Sequence, residues 1–261
     1  MNESLPPAKP SEHALKDAVP AGEWKARVEL AACYRLFAQA GLDDLVFTHL
    51  SARIPDESGR FLFICHGLLF AEVTASNLLT LDIEGNNVGA VPGEVNPAGW
   101  IVHRTVFEGY PDTACAMHLH TTAGIAVSVQ EHGLLPVNQF GVTYHGKIGY
   151  YDYAGPGLPP KEQEAFIRGL KGKRMMFMRN HGTLTYGSNI AGTYFLMHYL
   201  EWSCRIQIAA QSAATDLVLP SGDVIERTVK TAQGVGDGAF AEVAFRALLR
   251  KLDREDPSYR E

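Results

Sequence analysis

Three histidines set the chemistry open to this sequence. His118 and His120 flank Leu119 in Met117-His118-Leu119-His120-Thr121, and His181 lies far downstream in Arg179-Asn180-His181-Gly182. Side chains of a strand alternate between faces with a period of two, so a strand over Ala114–His120 projects both imidazoles from one face. Neutral imidazole is a common metal ligand, and this spacing suits two neighbouring ligands on one ion. His181 follows the apolar run Met175 to Met178, so a second strand end can bring a third imidazole to the same point. Zinc, manganese, iron and cobalt all accept such ligands, and spacing does not choose among them. The competing reading is two half-buried strand histidines bonded to backbone.

Other groups carry weaker signals. His49 sits in a strand-like run, and His66 precedes Gly67 in a turn after an aromatic strand. Either histidine can face a substrate or simply pack. Arg53, at a strand end, suits an anionic substrate or an internal carboxylate. His103 lies in the helix before the key strand, as a packing group, a partner behind a ligand or a proton carrier. Tyr144 and His145 fall in a loop, where functional groups are often presented by a rigid scaffold, whereas Tyr150 and Tyr151 read as packing. No GxGxxG, Walker or GxSxG motif is present, and Ser128 has no evident base.

The elements that must position these residues are mixed in type. Residues 1–20, with three prolines in the first ten positions, read as a mobile arm. Val28, Ala31, Ala32, Leu36 and Phe37 recur at helical spacing within Glu23–Ala40, which Gly41 stops. Strands are predicted over Leu45–Arg53, Arg60–Ile64 and Leu79–Ile83. Asn96-Pro97 opens a helix to Glu108, since Asn caps well and Pro is tolerated at the first position. After the Ala114–His120 strand come helices at Thr122–Gln130, Lys161–Leu170 and Ile190–Gln211, with a strand at Met175–Met178. Val137–Gly149 reads as irregular. A polar tail begins at Ser212 and holds a helix near Ala239–Leu252, and Asp253–Glu261 is expected to be exposed. No repeat or linker divides the chain, so one α/β domain around a central sheet is the best reading. It is bounded as a domain over 21–215 and an extension over 216–261.

Composition narrows the function. Of 261 residues, 46% are hydrophobic and 20% charged, and the net charge is −6, which is ordinary for a globular protein. No basic stripe suggests a nucleic-acid partner. No apolar run approaches the roughly 18 residues of a membrane span, and no signal-peptide layout opens the chain. Cys33, Cys65, Cys115 and Cys204 fit no CxxC pattern and read as reduced core residues, with a cytoplasmic location as the default.

The sequence resembles the class II aldolase/adducin family from about Trp24 to Gln211. The resemblance rests on Thr48-His49-Leu50-Ser51-Ala52-Arg53, on the stretch from Gly67 to Ser76, on Asn96-Pro97-Ala98-Gly99-Trp100, on His118-Leu119-His120-Thr121 and on Arg179-Asn180-His181-Gly182. It implies a single three-layer α/β/α domain with a central, mainly antiparallel sheet. It also implies one divalent metal, zinc first and manganese, iron or cobalt as alternatives, on His118, His120 and His181. The implied assembly is a homotetramer with sites at subunit interfaces.

Two departures shape the expected function. Sugar-phosphate aldolases of the family carry a metal-binding, acid/base glutamate where this chain has Gly99, and the nearest preceding acid is Glu94. Their phosphate-binding Gly-Asn-Val-Ser-like stretch is replaced by Thr48-His49-Leu50-Ser51. The expectation is a metal-dependent lyase for a small, unphosphorylated hydroxy- or oxo-acid or aromatic acid, working by aldol cleavage or decarboxylation through a metal-stabilised enediolate. Its proton is carried by His49, His66, Tyr144, His145 or Glu94, and its substrate is contacted by Arg53, Gly67 and His103. The alternatives are a non-catalytic adducin-like binding or assembly protein and a three-histidine metal oxygenase.

Overall fold

The computed structural model describes residues 12–155, 157–232 and 238–261. In chain order the helices and strands are α1 (Glu12–Ala18), α2 (Ala21–Gln39), β1 (His49–Arg53), β2 (Phe61–Phe63), β3 (Leu79–Leu81), α3 (Pro97–Gly109), β4 (Cys115–Leu119), α4 (Thr122–Ser128), α5 (Gln139–Thr143), β5 (Ile148–Tyr151), α6 (Gln163–Leu170), β6 (Met175–Met178), β7 (Gly182–Gly187), α7 (Ile190–Gln211), α8 (Gly222–Thr231) and α9 (Ala239–Glu255). The strands form one sheet in the order β3-β2-β1-β4-β7-β6-β5. Every neighbouring pair is antiparallel except β5 with β6. That parallel pair is joined through α6, as a parallel connection requires a crossover.

Strand alternation divides the side chains between two helical layers. On β1, Leu50 and Ala52 face α2, where Tyr34 Oη donates to the Leu50 carbonyl at 2.6 Å. His49 and Ser51 face α3, where both contact His103. On β4, Met117 and Leu119 join the core beneath α2 and α7, while Ala116 packs with Val102 and Val106 of α3. Helices α3 and α6 cover one face, and α2, α4 and α7 the other, giving the expected three-layer, mainly antiparallel domain.

Several local expectations are corrected. Residues 1–11 of the expected arm lie outside the described residues, but Glu12–Ala18 is helical and Leu15 is buried. The stretch read as irregular contains α5, and Tyr150 and Tyr151 belong to β5. Strand β7 and helix α8 have no counterpart in the sequence reading. The terminal segment is docked against the core: Tyr259 is sealed from solvent, Asp256 pairs with Arg35 at 2.9 Å, and the Glu261 carbonyl accepts from Ser76 N at 2.8 Å. Phe245, Leu252 and Tyr259 belong to the main core. All four cysteines are free; Cys65 is half-buried and the other three are buried.

Candidate metal centre

Strand register brings the first two groups together. His49 and His118 are direct partners across β1 and β4, and their rings stack with centroids 5.1 Å apart. His120 follows the end of β4, where Thr121 caps α4 by accepting from Gly124 N. His181 occupies the tight turn between β6 and β7, in which Met178 pairs with Gly182. Asn180 takes a φ of +60° there, a conformation Asn tolerates better than most residues. Gly182 lets the turn close on the site: a Cβ there would lie 2.5 Å from the Leu119 carbonyl oxygen and 3.0 Å from the His120 ring.

Arg179 fixes the turn from its other side. Its guanidinium donates to the Ser128 and Gln130 carbonyls, at 2.8 and 2.9 Å, and lies over the Tyr150 ring at 4.7 Å. These are carbonyls at the C-terminal end of α4, the helix that begins just after His120. A cation there satisfies acceptors that the helix leaves unpaired. The His181 turn and the His120 strand end are thereby tied to one helix.

The three imidazoles form a near-equilateral group. Ring centroids are 4.7 Å apart for His118–His120 and 4.8 Å for each of the other two pairs. One ring nitrogen from each lies within 4.8 Å of the others, and among the described residues no carboxylate or thiol joins them. His118 is buried; His120 and His181 are half-buried. Two hydrogen bonds decide the tautomers. His118 Nδ1 lies 3.0 Å from the Thr183 carbonyl and His120 Nδ1 3.0 Å from the Asp44 carboxylate. Both oxygens only accept, so each Nδ1 carries the hydrogen and each neutral ring keeps a lone pair on Nε2. Those Nε2 atoms face each other at 2.9 Å. Burial, reinforced by repulsion from neighbouring imidazoles, holds His118 well below the usual histidine range. Burial followed by His120 lowers His181 to about 4. Three converging imidazoles, with two Nε2 lone pairs directed at one point, fit a divalent ion.

The remaining candidates are dispersed. His49 is buried against His118, and a Cβ built on Gly99 would lie 2.6 Å from its Cδ2 and Nε2. The place of a side chain at 99 is thus filled by the His49 ring. His103 is fully buried behind His49. Arg53, at the other end of β1, donates to the Thr113 and Pro111 carbonyls and lies over Phe61 and Phe107. His66, Gly67 and Glu94 are exposed, and His66 N donates to the Glu94 carbonyl at 2.8 Å. Tyr144 is buried among Val127, Phe177 and Leu200, its hydroxyl without a partner among the described residues, and His145 is exposed beyond α5. Sequence reading missed Asp44 and Thr183, and it placed Arg179 in a motif without its anchoring role. It also missed Tyr153, an exposed side chain whose ring is 6.5 Å from that of His181. An acid in the loop before Thr48-His49 was the only available signal for Asp44.

The chain belongs to the class II aldolase and adducin family: residues 28–208 match the family described as "Class II Aldolase and Adducin N-terminal domain". It is similar to the crystal structure of an aldolase II superfamily protein from Pseudomonas syringae, with 40% identity, a TM-score of 0.92, and coverage of 95% of this chain and 100% of that one. An L-fuculose 1-phosphate aldolase from Glaciozyma antarctica is 25% identical with a TM-score of 0.79, covering 98% of this chain and 97% of the other. Alpha-adducin of Rattus norvegicus is 33% identical over 89% of this chain, which matches 33% of the length of that protein. Among the described residues no helix is long and apolar enough to cross a membrane.

Proposed function

We propose that this chain is a divalent-metal-dependent lyase acting on a small, unphosphorylated hydroxy- or oxo-acid, aliphatic or aromatic, by aldol-type cleavage or decarboxylation. The observation that carries this reading is the 2.9 Å approach of two Nε2 atoms whose Nδ1 positions are both tied to acceptors. A bound ion, zinc in the first instance, supplies Lewis-acid stabilisation of negative charge on a substrate oxygen. The chain's own residues do the rest. Thr183 and Asp44 orient the ligands, and burial keeps His118 and His181 neutral. Thr48, Leu50 and Ser51 are sealed from solvent, which supports a substrate without phosphate. Exposed His66, Glu94 and His145 are the groups free to carry protons. We further propose a homotetramer with its sites at subunit interfaces, in the cytoplasm.

A non-catalytic binding or assembly role, suggested by the adducin similarity, is the second reading. A module that only assembles has no need of ligands oriented through Asp44 and Thr183. The test is elemental analysis and zinc titration of the purified chain and of His120→Ala, followed by turnover assays on hydroxy- and oxo-acids with and without phosphate. One metal per chain, lost in the variant, together with turnover of an unphosphorylated acid is the expected result. Absence of stoichiometric metal removes the basis for the lyase; bound metal without turnover favours the assembly role.

A further inference from the structure

Two buried groups hold the His49 ring from behind. His103 Nε2 is 2.8 Å from His49 Nδ1, and His103 Nδ1 is 2.5 Å from Ser51 Oγ. Both His103 and Ser51 are sealed from solvent. These contacts admit two concerted proton arrangements, and the serine selects between them. Ser51 Oγ has no other hydrogen-bond partner among the described residues, and a buried hydroxyl hydrogen without an acceptor is costly. Ser51 therefore donates to His103 Nδ1. Neutral His103 then carries its hydrogen on Nε2 and donates to His49 Nδ1. With Nδ1 as acceptor, neutral His49 carries its own hydrogen on Nε2. Both rings are buried, and a charge on a buried ring is costly.

Among the described residues His49 Nε2 has no hydrogen-bond partner, yet it is not among the sealed polar atoms that lack one. Its ring occupies the place that a side chain at Gly99 would take, and it stacks on His118. We infer that His49 is a neutral N–H donor directed at an anionic oxygen of a hydroxy-acid bound beside the three-histidine site, with His103 and Ser51 as positioning residues that fix its tautomer. This rests on the metal-site reading above and assigns His49 a different task from proton carriage. The imidazole stabilises charge on oxygen through a preorganised hydrogen bond and keeps its proton.

The test reads ring protonation directly. In 15N-imidazole spectra of the full chain at neutral pH, metal-free and zinc-loaded, His49 should show a protonated Nε2 and a bare Nδ1. In Ser51→Ala the selection should relax and a bare-Nε2 form appear, with zinc affinity unchanged. A bare or zinc-bound Nε2 in the wild type overturns the inference, as does a Ser51→Ala spectrum identical to wild type. With glycolate as the probe on zinc-loaded protein, His49→Phe, which keeps a ring but loses the donor, should weaken binding roughly tenfold or more; unchanged affinity overturns the assignment. Failure of the wild type to bind zinc would instead be failure of the metal site itself, and the metal-free spectrum still decides the tautomer.

Discussion

The Asp44 carboxylate lies 3.0 Å from His120 Nδ1, on the side of the ring away from the Nε2 that faces His118. A carboxylate in that position fixes the tautomer and orientation of a ligand and raises its basicity. Asp44→Ala should therefore weaken zinc binding by roughly 10–100-fold, the range typical of such partners. Asp44→Asn, which retains an accepting oxygen, should lose less. Competition titration against a chelating dye measures both, and wild-type affinity in Asp44→Ala would show that the contact does not orient the ligand.

Gly99 and His49 compete for one space. A methyl group at 99 would fall 2.6 Å from the His49 ring, and the ring has little freedom because His103 holds it at 2.8 Å. Overpacking of this kind costs roughly 1–3 kcal/mol. Gly99→Ala should destabilise the wild type by that order but cost little in a His49→Ala background. The double-mutant cycle by denaturant unfolding isolates the coupling; additive effects would mean that the ring moves aside freely.

Acid should weaken the metal-free protein through its buried histidines. Burial lowers His103 to about 3, whereas an unfolded histidine ionises near about 6.5. As pH falls below about 6.5 the unfolded chain takes up a proton that the folded chain refuses until near the lower value, so stability falls with pH across that window. Thermal melts of metal-free protein should show a lower Tm at about pH 5 than at about pH 7. His103→Gln should flatten part of that slope, with His49, His118, His181 and His198, all lowered first by burial, contributing in the same direction. An equal slope in the variant would count against His103.

Much of the scaffold was legible because its residues obey simple periods. The Ile190–Gln211 helix has the same bounds in the structure, and the pairing of His118 with His120 follows from alternation along β4. What escaped lacked a strong local pattern. Strand β7, Gly-Thr-Leu-Thr-Tyr-Gly, is bounded by glycines and is buried on both sides only because β4 and β6 enclose it. Helix α5 is a single capped turn, stabilised by Asn138 accepting from Phe140 N and Gly141 N. Asp44 and His120 are 76 residues apart in sequence, so no local rule joins them. The meaning of Gly99 was half legible: the missing carboxylate could be read from the motif, but the ring filling its place required the β1–β4 register.

The turn that carries His181 also determines how much a metal can stabilise the fold. His118 and His120 remain neighbours in any conformation of the chain, so an unfolded polypeptide retains a two-imidazole chelate. Only pairing of β4 with β7 brings the third ligand, since Leu119 must meet Thr183 across the sheet. A ligand stabilises a protein only by the difference between its affinities for the folded and unfolded states. The thermodynamic linkage between metal and fold therefore resides largely in His181, in the Gly182 that lets it approach and in the Arg179 that anchors it.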